Sequence, residues 1–244
     1  NIAFIGGANL SKDFLSEGES VWLDSLIRFH GELAYFYSKL FISDWNFVSS
    51  KKIDQPSKIN TIINYSDKAQ CAYPIPVGPD ISKEVLYNVL CTSIARAKSS
   101  ISIVSPYFVP PRALLEIINN PHLCGVKISI FIPEKTDGYL INKLNYSYTN
   151  ELKKQGVEVF YTRQKVHSKL VLIDDIYTFI GSVNFDYRSI LINYELMTIF
   201  SDKKTVKEVS QFIDYLKDNS TTCQNNHTNS KILNNLVRLL SPIV

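Results

Sequence analysis

The sequence predicts an α/β fold with two similar halves, each a β-sheet flanked by helices. Three observations predict it. A nine-residue pattern occurs twice, short apolar strands alternate with helix-period segments between the copies, and one continuous apolar run has the character of a buried central strand. The first copy is Ile2-Ala3-Phe4-Ile5-Gly6-Gly7-Ala8-Asn9-Leu10, and it aligns without gaps to Tyr177-Thr178-Phe179-Ile180-Gly181-Ser182-Val183-Asn184-Phe185. Both copies run from an apolar strand into a glycine turn, with an asparagine three residues after the glycine.

The elements follow in order. Residues 22–47 carry aromatic and apolar side chains at helical spacing (Leu33, Phe36, Tyr37, Leu40, Phe41) and are expected to end near Asp44-Trp45. Residues 51–67 are polar, contain Pro56 and keep no sustained period, so they read as an inter-repeat linker. Cys71-Ala72-Tyr73-Pro74 leads to Gly78-Pro79-Asp80, and Val85, Val89, Leu90, Ile94 and Ala97 then mark one helical face over 81–98. A strand at 101–104 closes through Ser105-Pro106-Tyr107-Phe108-Val109-Pro110-Pro111 into a helix reaching about Asn119. Strand 126–132, helix 139–154 and strand 157–161 come next. Leu170-Val171-Leu172-Ile173 is the buried run, Asp174-Asp175 turns the chain into the second repeat copy, and strand 194–200 and helix 203–217 follow. A polar loop over 219–229 and a short apolar helix over 233–240 complete the expectation. The domain reading is 1–50 for a first, incomplete repeat, 51–69 for the linker and 70–244 for the second repeat.

Bulk composition narrows the class. A 45% hydrophobic and 20% charged chain of 244 residues is long enough to pack one large domain or two modest ones. The net charge of +3 fits an anionic substrate or membrane surface and is too small to argue for a specific nucleic-acid partner. Cys71, Cys91, Cys124 and Cys223 form no CxxC pair and read as buried thiols. No run of about 18 apolar residues suggests a bilayer span. Because Asn1 is followed at once by strand-like Ile2-Ala3-Phe4-Ile5, the chain is expected to begin inside a domain.

The chemistry concentrates in His167-Ser168-Lys169, which the apolar run connects to Asp174. Residues two apart on a strand face the same way, so an imidazole and an ammonium are presented together. Gly181, Ser182 and Asn184 add a tight turn, a hydroxyl and an amide, and Glu195 follows. A neutral imidazole can attack phosphorus, a lysine and an amide can hold non-bridging oxygens, and a carboxylate can fix an imidazole's tautomer. These parts serve phosphoryl transfer without a metal or a cofactor. The catalytic candidates are His167, Lys169, Asp174, Asn184 and Glu195. The substrate-side candidates are Gly181, Ser182 and Asn9, the first-copy counterpart of Asn184. His30, His122 and His227 lie in no cluster.

His167-Ser168-Lys169 with Asp174, together with Gly181-Ser182-Val183-Asn184-Phe185-Asp186-Tyr187-Arg188-Ser189 and Asn193-Tyr194-Glu195-Leu196, resembles the second HxKxxxxD motif of the phospholipase D superfamily. The flanks are most similar to bacterial cardiolipin synthases. They include Ala3 to Leu10, Trp22-Leu23-Asp24, Gly31, Asp44-Trp45, Gly78-Pro79-Asp80, Ser105 to Pro110 and Arg238-Leu239-Leu240-Ser241-Pro242. In the second repeat His167, Lys169 and Asp174 precede Gly181 by 14, 12 and 7 residues, and the same offsets from Gly6 fall before Asn1.

The resemblance implies a phospholipase D-like fold whose halves are related by a pseudo-twofold axis, the first half being incomplete. It implies transfer of a phosphatidyl group from one phosphatidylglycerol to another through a phosphatidyl-histidine, at the bacterial inner membrane and with membrane segments upstream of this region. One histidine is the nucleophile and the other the acid/base. The missing one is the favoured nucleophile, and the reverse assignment stays open. Across the repeats Asp24 would support His167, and Glu195 would support the absent histidine; the alternative for Asp24 is an exposed turn acid. The partners implied are an anionic phospholipid, a membrane surface, and an N-terminal segment or second chain that completes the site. Two other functions remain: a phosphodiesterase or nuclease completed by dimerisation, and a non-catalytic lipid-binding remnant. Tyr107, Phe108 and Val109 are either packing residues or the mouth of an acyl-chain groove.

Overall fold

A computed structural model describes residues 2–11, 14, 22–56, 71–81, 84–120, 125–136 and 138–222. The rest of the expected linker, the tail helix at 233–240, and Cys124, Cys223, His122 and His227 lie outside them.

Two strands open the chain. β1 (Ile2–Gly6) and β2 (Leu26–His30) pair antiparallel, with Gly6 opposite Leu26. The helix expected over 22–47 is therefore shorter than its aromatic spacing indicated. Residues 26–30 alternate in exposure as a half-buried strand does, and Gly31, at φ 84°, breaks the chain before α1 (Glu32–Val48) starts. Asp44 and Trp45 lie inside α1 rather than at its end.

β3 (Ala72–Val77) follows, then α2 (Glu84–Ala95), β4 (Ser100–Val104), β5 (Phe108–Val109), α3 (Arg112–Ile118), β6 (Lys127–Pro133), α4 (Tyr139–Lys153) and β7 (Glu158–Thr162). β8 (Leu170–Ile173), β9 (Tyr177–Gly181), β10 (Phe185–Asp186), α5 (Tyr187–Leu191), β11 (Glu195–Phe200), α6 (Lys203–Asp218) and β12 (Ser220–Thr221) complete the described chain. Eight strands form one mixed sheet in the order β12-β7-β6-β4-β8-β9-β11-β3, in which β4, β6 and β7 run parallel and the other pairings are antiparallel. Pro74 and Pro76, which lack the amide a central ladder needs, are tolerated because β3 ends the sheet.

The sheet carries a core on each face. On one side α2, α3, α4 and α5 cover Ile101, Ile103, Val171, Ile173 and Phe179. On the other, Val206, Val209, Ile213 and Leu216 of α6 cover Val104, Phe131, Leu170, Leu172 and Ile180, and Leu23, Ile27 and Phe29 pack there too. The unbroken run at 170–173 is thus two alternating sets, one for each core. Each such side chain removed from water contributes roughly 1.5–3 kcal/mol before chain entropy is counted. Asp202 caps α6 by accepting from the Thr205 amide at 2.9 Å. Phe108 and Val109 are buried, and the Phe108 ring stacks on Phe185 at 5.3 Å, so both are packing residues. Cys71 is exposed and Cys91 half-buried, against the expectation of buried thiols.

The repeat seen in the sequence is also a repeat in geometry. Gly181 pairs with Met197 as Gly6 pairs with Leu26. A Cβ on Gly181 would lie 2.0 Å from the Leu196 carbonyl oxygen, and one on Gly6 would lie 2.2 Å from that of Ser25. Each glycine thus presses on the carbonyl just before its partner, a contact no larger residue permits. Asp24 and Glu195, both two residues before the glycine's partner, occupy matching places in the two hairpins.

Candidate active site

The site forms where the first hairpin meets the entry to β8. Leu23 bridges Val166 in parallel. Its amide donates to the Lys165 carbonyl at 2.8 Å, and the His167 amide donates to the Leu23 carbonyl at 2.7 Å. These bonds lay residues 22–25 alongside 165–168 and so bring together groups 143 residues apart in sequence. His167 Nδ1 lies 2.8 Å from Asp24 Oδ2, with the two side chains 11% and 7% exposed. Asp24 is accordingly not an exposed turn acid. Its other oxygen accepts from the Ser25 amide at 2.7 Å, and Ser25 Oγ donates to Ser168 Oγ at 2.9 Å. The imidazole is further confined by Phe14 and Trp22, whose rings meet it edgewise at 4.8 Å and 5.5 Å between centroids.

An Nδ1–H donated to the Asp24 carboxylate leaves Nε2 as the free nitrogen of a neutral ring. Lys169 Nζ lies against the ring, 2.6 Å from Nδ1 and 2.9 Å from Nε2, and also donates to the His167 carbonyl. The spacing read from the sequence thus brings the imidazole and the lysine together, in the segment just before β8. Lys169 is 4% exposed. Burial pushes its ammonium down to about 8, against the pull of the Asp24, Glu195 and Asp186 carboxylates. Gly7 is needed at this point because a Cβ there would stand 2.7 Å from Lys169 Cδ and 3.1 Å from Asp24 Oδ2.

The second repeat supplies the remaining groups. Ser182 Oγ donates to Glu195 Oε2 at 2.5 Å and accepts from the Leu196 amide at 3.0 Å. Burial pushes the Glu195 carboxyl up, with Ser182 and Asn193 pulling it back. The Asn184 amide bonds to Asp186, and its buried Oδ1 has no partner among the described residues. Gly181 donates its amide to the Lys169 carbonyl at 3.3 Å, closing the turn onto the lysine.

Two expected residues are not brought to this cluster. Asn9 is exposed in the turn after β1, where its carbonyl accepts from the Ser11 amide at 2.9 Å. Asp174 lies at the far end of β8, about 16 Å along the strand from Lys169 at roughly 3.3 Å per residue. Its carboxylate accepts from the Lys98, Ser99 and Ser100 amides at 2.7–3.1 Å and from Ser99 Oγ at 2.9 Å. Burial acts to raise this carboxyl, but those donors outweigh it and hold it below the usual carboxylate range. Asp174 therefore fixes the β8–β9 turn, where it and Asp175 take φ of 55° and 53°, to the start of β4. The residue that sequence reading left without a role is Asp186. Its sequence signal was only a place two residues after Asn184 and three before Ser189.

Comparisons with known proteins bear on the family and the fold. A family profile described as cardiolipin synthase, PLD-like domain, matches residues 90–217. A cardiolipin synthase of Listeria welshimeri is 32% identical over 254 residues, covering 100% of this chain and 52% of the relative. Cardiolipin synthase 1 of Bacillus cereus is 29% identical over 262 residues and is half covered, at 50%. The chain thus spans about half the length of the relatives it matches. Among solved structures, phosphatidylserine synthase of Haemophilus influenzae superposes with a TM-score of 0.71 at 16% identity, over 100% of this chain and 69% of that one. NucT of Helicobacter pylori gives 0.54 at 19% identity, covering 63% of this chain and 99% of that one. These two likenesses speak to the fold.

Proposed function

The chain belongs to the phospholipase D-like domain family of cardiolipin synthases, and on that premise we propose that it carries half of a phosphatidyltransferase site. The reaction joins two phosphatidylglycerol molecules into cardiolipin, with release of glycerol, through a phosphatidyl-histidine. The observation that carries this reading is the buried His167–Asp24 pair with the Lys169 ammonium within 2.6–2.9 Å of both ring nitrogens. In one step an imidazole attacks the phosphodiester, forming an N–P bond as the P–O bond to glycerol breaks. The alkoxide takes its proton from Nε2–H of the other histidine, which enters this step as imidazolium and leaves it as the neutral, Nδ1–H ring. The acceptor hydroxyl then attacks phosphorus, returns that proton and releases the first ring. His167 serves as the acid/base, its Nδ1 held by Asp24. Lys169 offsets charge on the non-bridging oxygens as it develops, and Asn184 is the further candidate for that contact.

A second His-Lys-Asp set completes the site, carried by a segment preceding residue 1 or by a second chain. Support comes from the repeated hairpin. β9 is paired on both edges, by β8 and β11, whereas β1 has β2 as its only partner among the described residues. The open edge of β1 is the counterpart of the one β8 occupies. Membrane attachment through upstream segments belongs to the same proposal; no described helix is long and apolar enough to cross a bilayer.

The test is a lipid product assay on a protein extended to include the preceding region, with phosphatidylglycerol vesicles and His167→Ala in parallel. Cardiolipin formation is expected from the parent and not from the variant. Undiminished cardiolipin formation by His167→Ala would remove His167 from the mechanism. Phosphatidic acid as the sole product would assign hydrolysis instead.

A further inference from the structure

Lys165 extends the row that His167 and Lys169 form. The Leu23–Val166 bridge lays residues 165–168 along residues 22–25, and Val166, 0% exposed, turns into the core beneath α6 together with Leu170. Lys165, His167 and Lys169 take the alternate positions of this extended segment. Their contacts lie on one side. Lys169 Nζ stands against the imidazole, while Lys165 Nζ lies 5.3 Å from the centre of the Trp22 ring, which meets the same imidazole edgewise. The row runs from water into the interior, since Lys165 is exposed and Lys169 is buried.

The two lysines are engaged differently. Lys169 is held by the His167 ring and carbonyl. Lys165 has no carboxylate within ion-pair distance among the described residues, and a cation resting on a ring face keeps its N–H donors for another partner. The chemistry calls for such a partner. Joining two phosphatidylglycerol molecules brings two negative phosphates together, parted by a single glycerol bridge. The reacting phosphate is the one assigned to Lys169. The acceptor lipid carries a phosphate of its own, and a buried lysine already bound to the imidazole is poorly placed to hold both. Lys165 stands on the water side of the same ring, where the second anion would enter.

We infer that Lys165, braced on Trp22, binds the phosphate of the acceptor lipid and so selects a phosphate-bearing alcohol over water or a neutral alcohol. The selection rests on the function proposed above, which it deepens; the binding of a phosphodiester beside Trp22 does not depend on turnover. Lys165 takes no part in making or breaking bonds. It determines which hydroxyl is presented to the phosphatidyl-histidine.

The experiment gives the extended protein phosphatidylglycerol vesicles with butanol present, so that cardiolipin and phosphatidylbutanol form in one reaction and are quantified by mass spectrometry. Lys165→Gln should lower the ratio of cardiolipin to phosphatidylbutanol about tenfold, the effect of losing one charge-assisted hydrogen bond. Lys165→Arg should keep the ratio. Lys39→Gln, which removes an exposed lysine resting on Tyr35 of α1, should leave it unchanged. An unchanged ratio in Lys165→Gln, a fall of both products together, or a parent that transfers to butanol alone overturns the assignment. A second measurement needs no turnover. In protein labelled with fluorotryptophan, the Trp22 resonance is identified by its loss in Trp22→Phe and followed by 19F NMR during titration with glycerophosphoglycerol, the soluble headgroup diester. The resonance should shift saturably, with an affinity about tenfold weaker in Lys165→Gln. A response that does not depend on Lys165, or none, overturns the assignment as well. Lys165-dependent binding in an extended protein that forms neither lipid product would sink the proposed function and leave the phosphodiester site standing.

Discussion

Replacing Lys169 with methionine should make this chain more stable while removing its proposed chemistry. The lysine is buried, and its ammonium falls from an ordinary 10.5 to about 8. At 1.36 kcal/mol per unit, that shift corresponds to about 3 kcal/mol by which the folded state disfavours the charge. Below pH 8 the lysine is protonated in both folded and unfolded chains, so the whole penalty is felt. Between pH 8 and 10.5 the folded chain gives up the proton while the unfolded chain keeps it, and stability rises with pH. Methionine fills a similar volume without the charge. The pull of the carboxylates is already contained in that net shift, while the contacts of Lys169 with the His167 ring and carbonyl are lost, so a net increase of about 1–2 kcal/mol at pH 7 is expected. Urea unfolding followed by tryptophan fluorescence at pH 7.0 and 9.5 measures it. Wild type should recover about 2 kcal/mol relative to Lys169→Met between those two pH values. A variant less stable than wild type at pH 7, with a gap that does not change with pH, would refute the reasoning that burial dominates over the carboxylates.

Two further predictions concern the other carboxylates. Asp24→Asn should preserve the fold but release the His167 tautomer, visible as a changed Nδ1/Nε2 pattern in 15N NMR of the imidazole. In the extended protein, cardiolipin formation should fall by roughly a thousandfold or more, the scale seen when an orienting carboxylate is lost from a catalytic triad. Asp174→Ala should cost about 1–3 kcal/mol of stability through its unpaired amides, while the Lys169 midpoint stays near 8. Because the Asp174 carboxyl is held low, its contribution is complete above the unfolded value and is lost as pH falls through the folded one. The gap between wild type and Asp174→Ala should therefore narrow in acid. A gap that widens there would contradict the assignment.

Much of this fold was legible in the sequence where period and turn chemistry agreed. Strands β4, β6, β7, β8, β9 and β11 and helices α4 and α6 lie within a residue or two of their expected bounds. β2 was hidden because its residues precede a helix rich in aromatics, and the helical spacing of Leu33, Tyr37 and Leu40 was extended back over it. β3 was hidden by two prolines, which only its place at the sheet edge permits. The His167–Lys169 pairing follows from strand alternation, which is local. The Asp24 contact follows from docking of one half on the other, which no window of sequence reports; only the family resemblance pointed to it. Asp174 was misplaced because spacing gives distance along a strand but not which end holds the chemistry.

The seam between residues 22–25 and 165–168 has a consequence for assembly. Alternation along an extended segment means that sliding one side by a single residue would turn the Asp24 carboxylate away from the imidazole and bring Leu23 or Ser25 against it. The carboxylate and its histidine belong to different hairpins, so the ring is armed only when the two hairpins are docked in register. On the proposed chemistry, a chain that has folded each piece but not yet seated them would hold no imidazole oriented by Asp24.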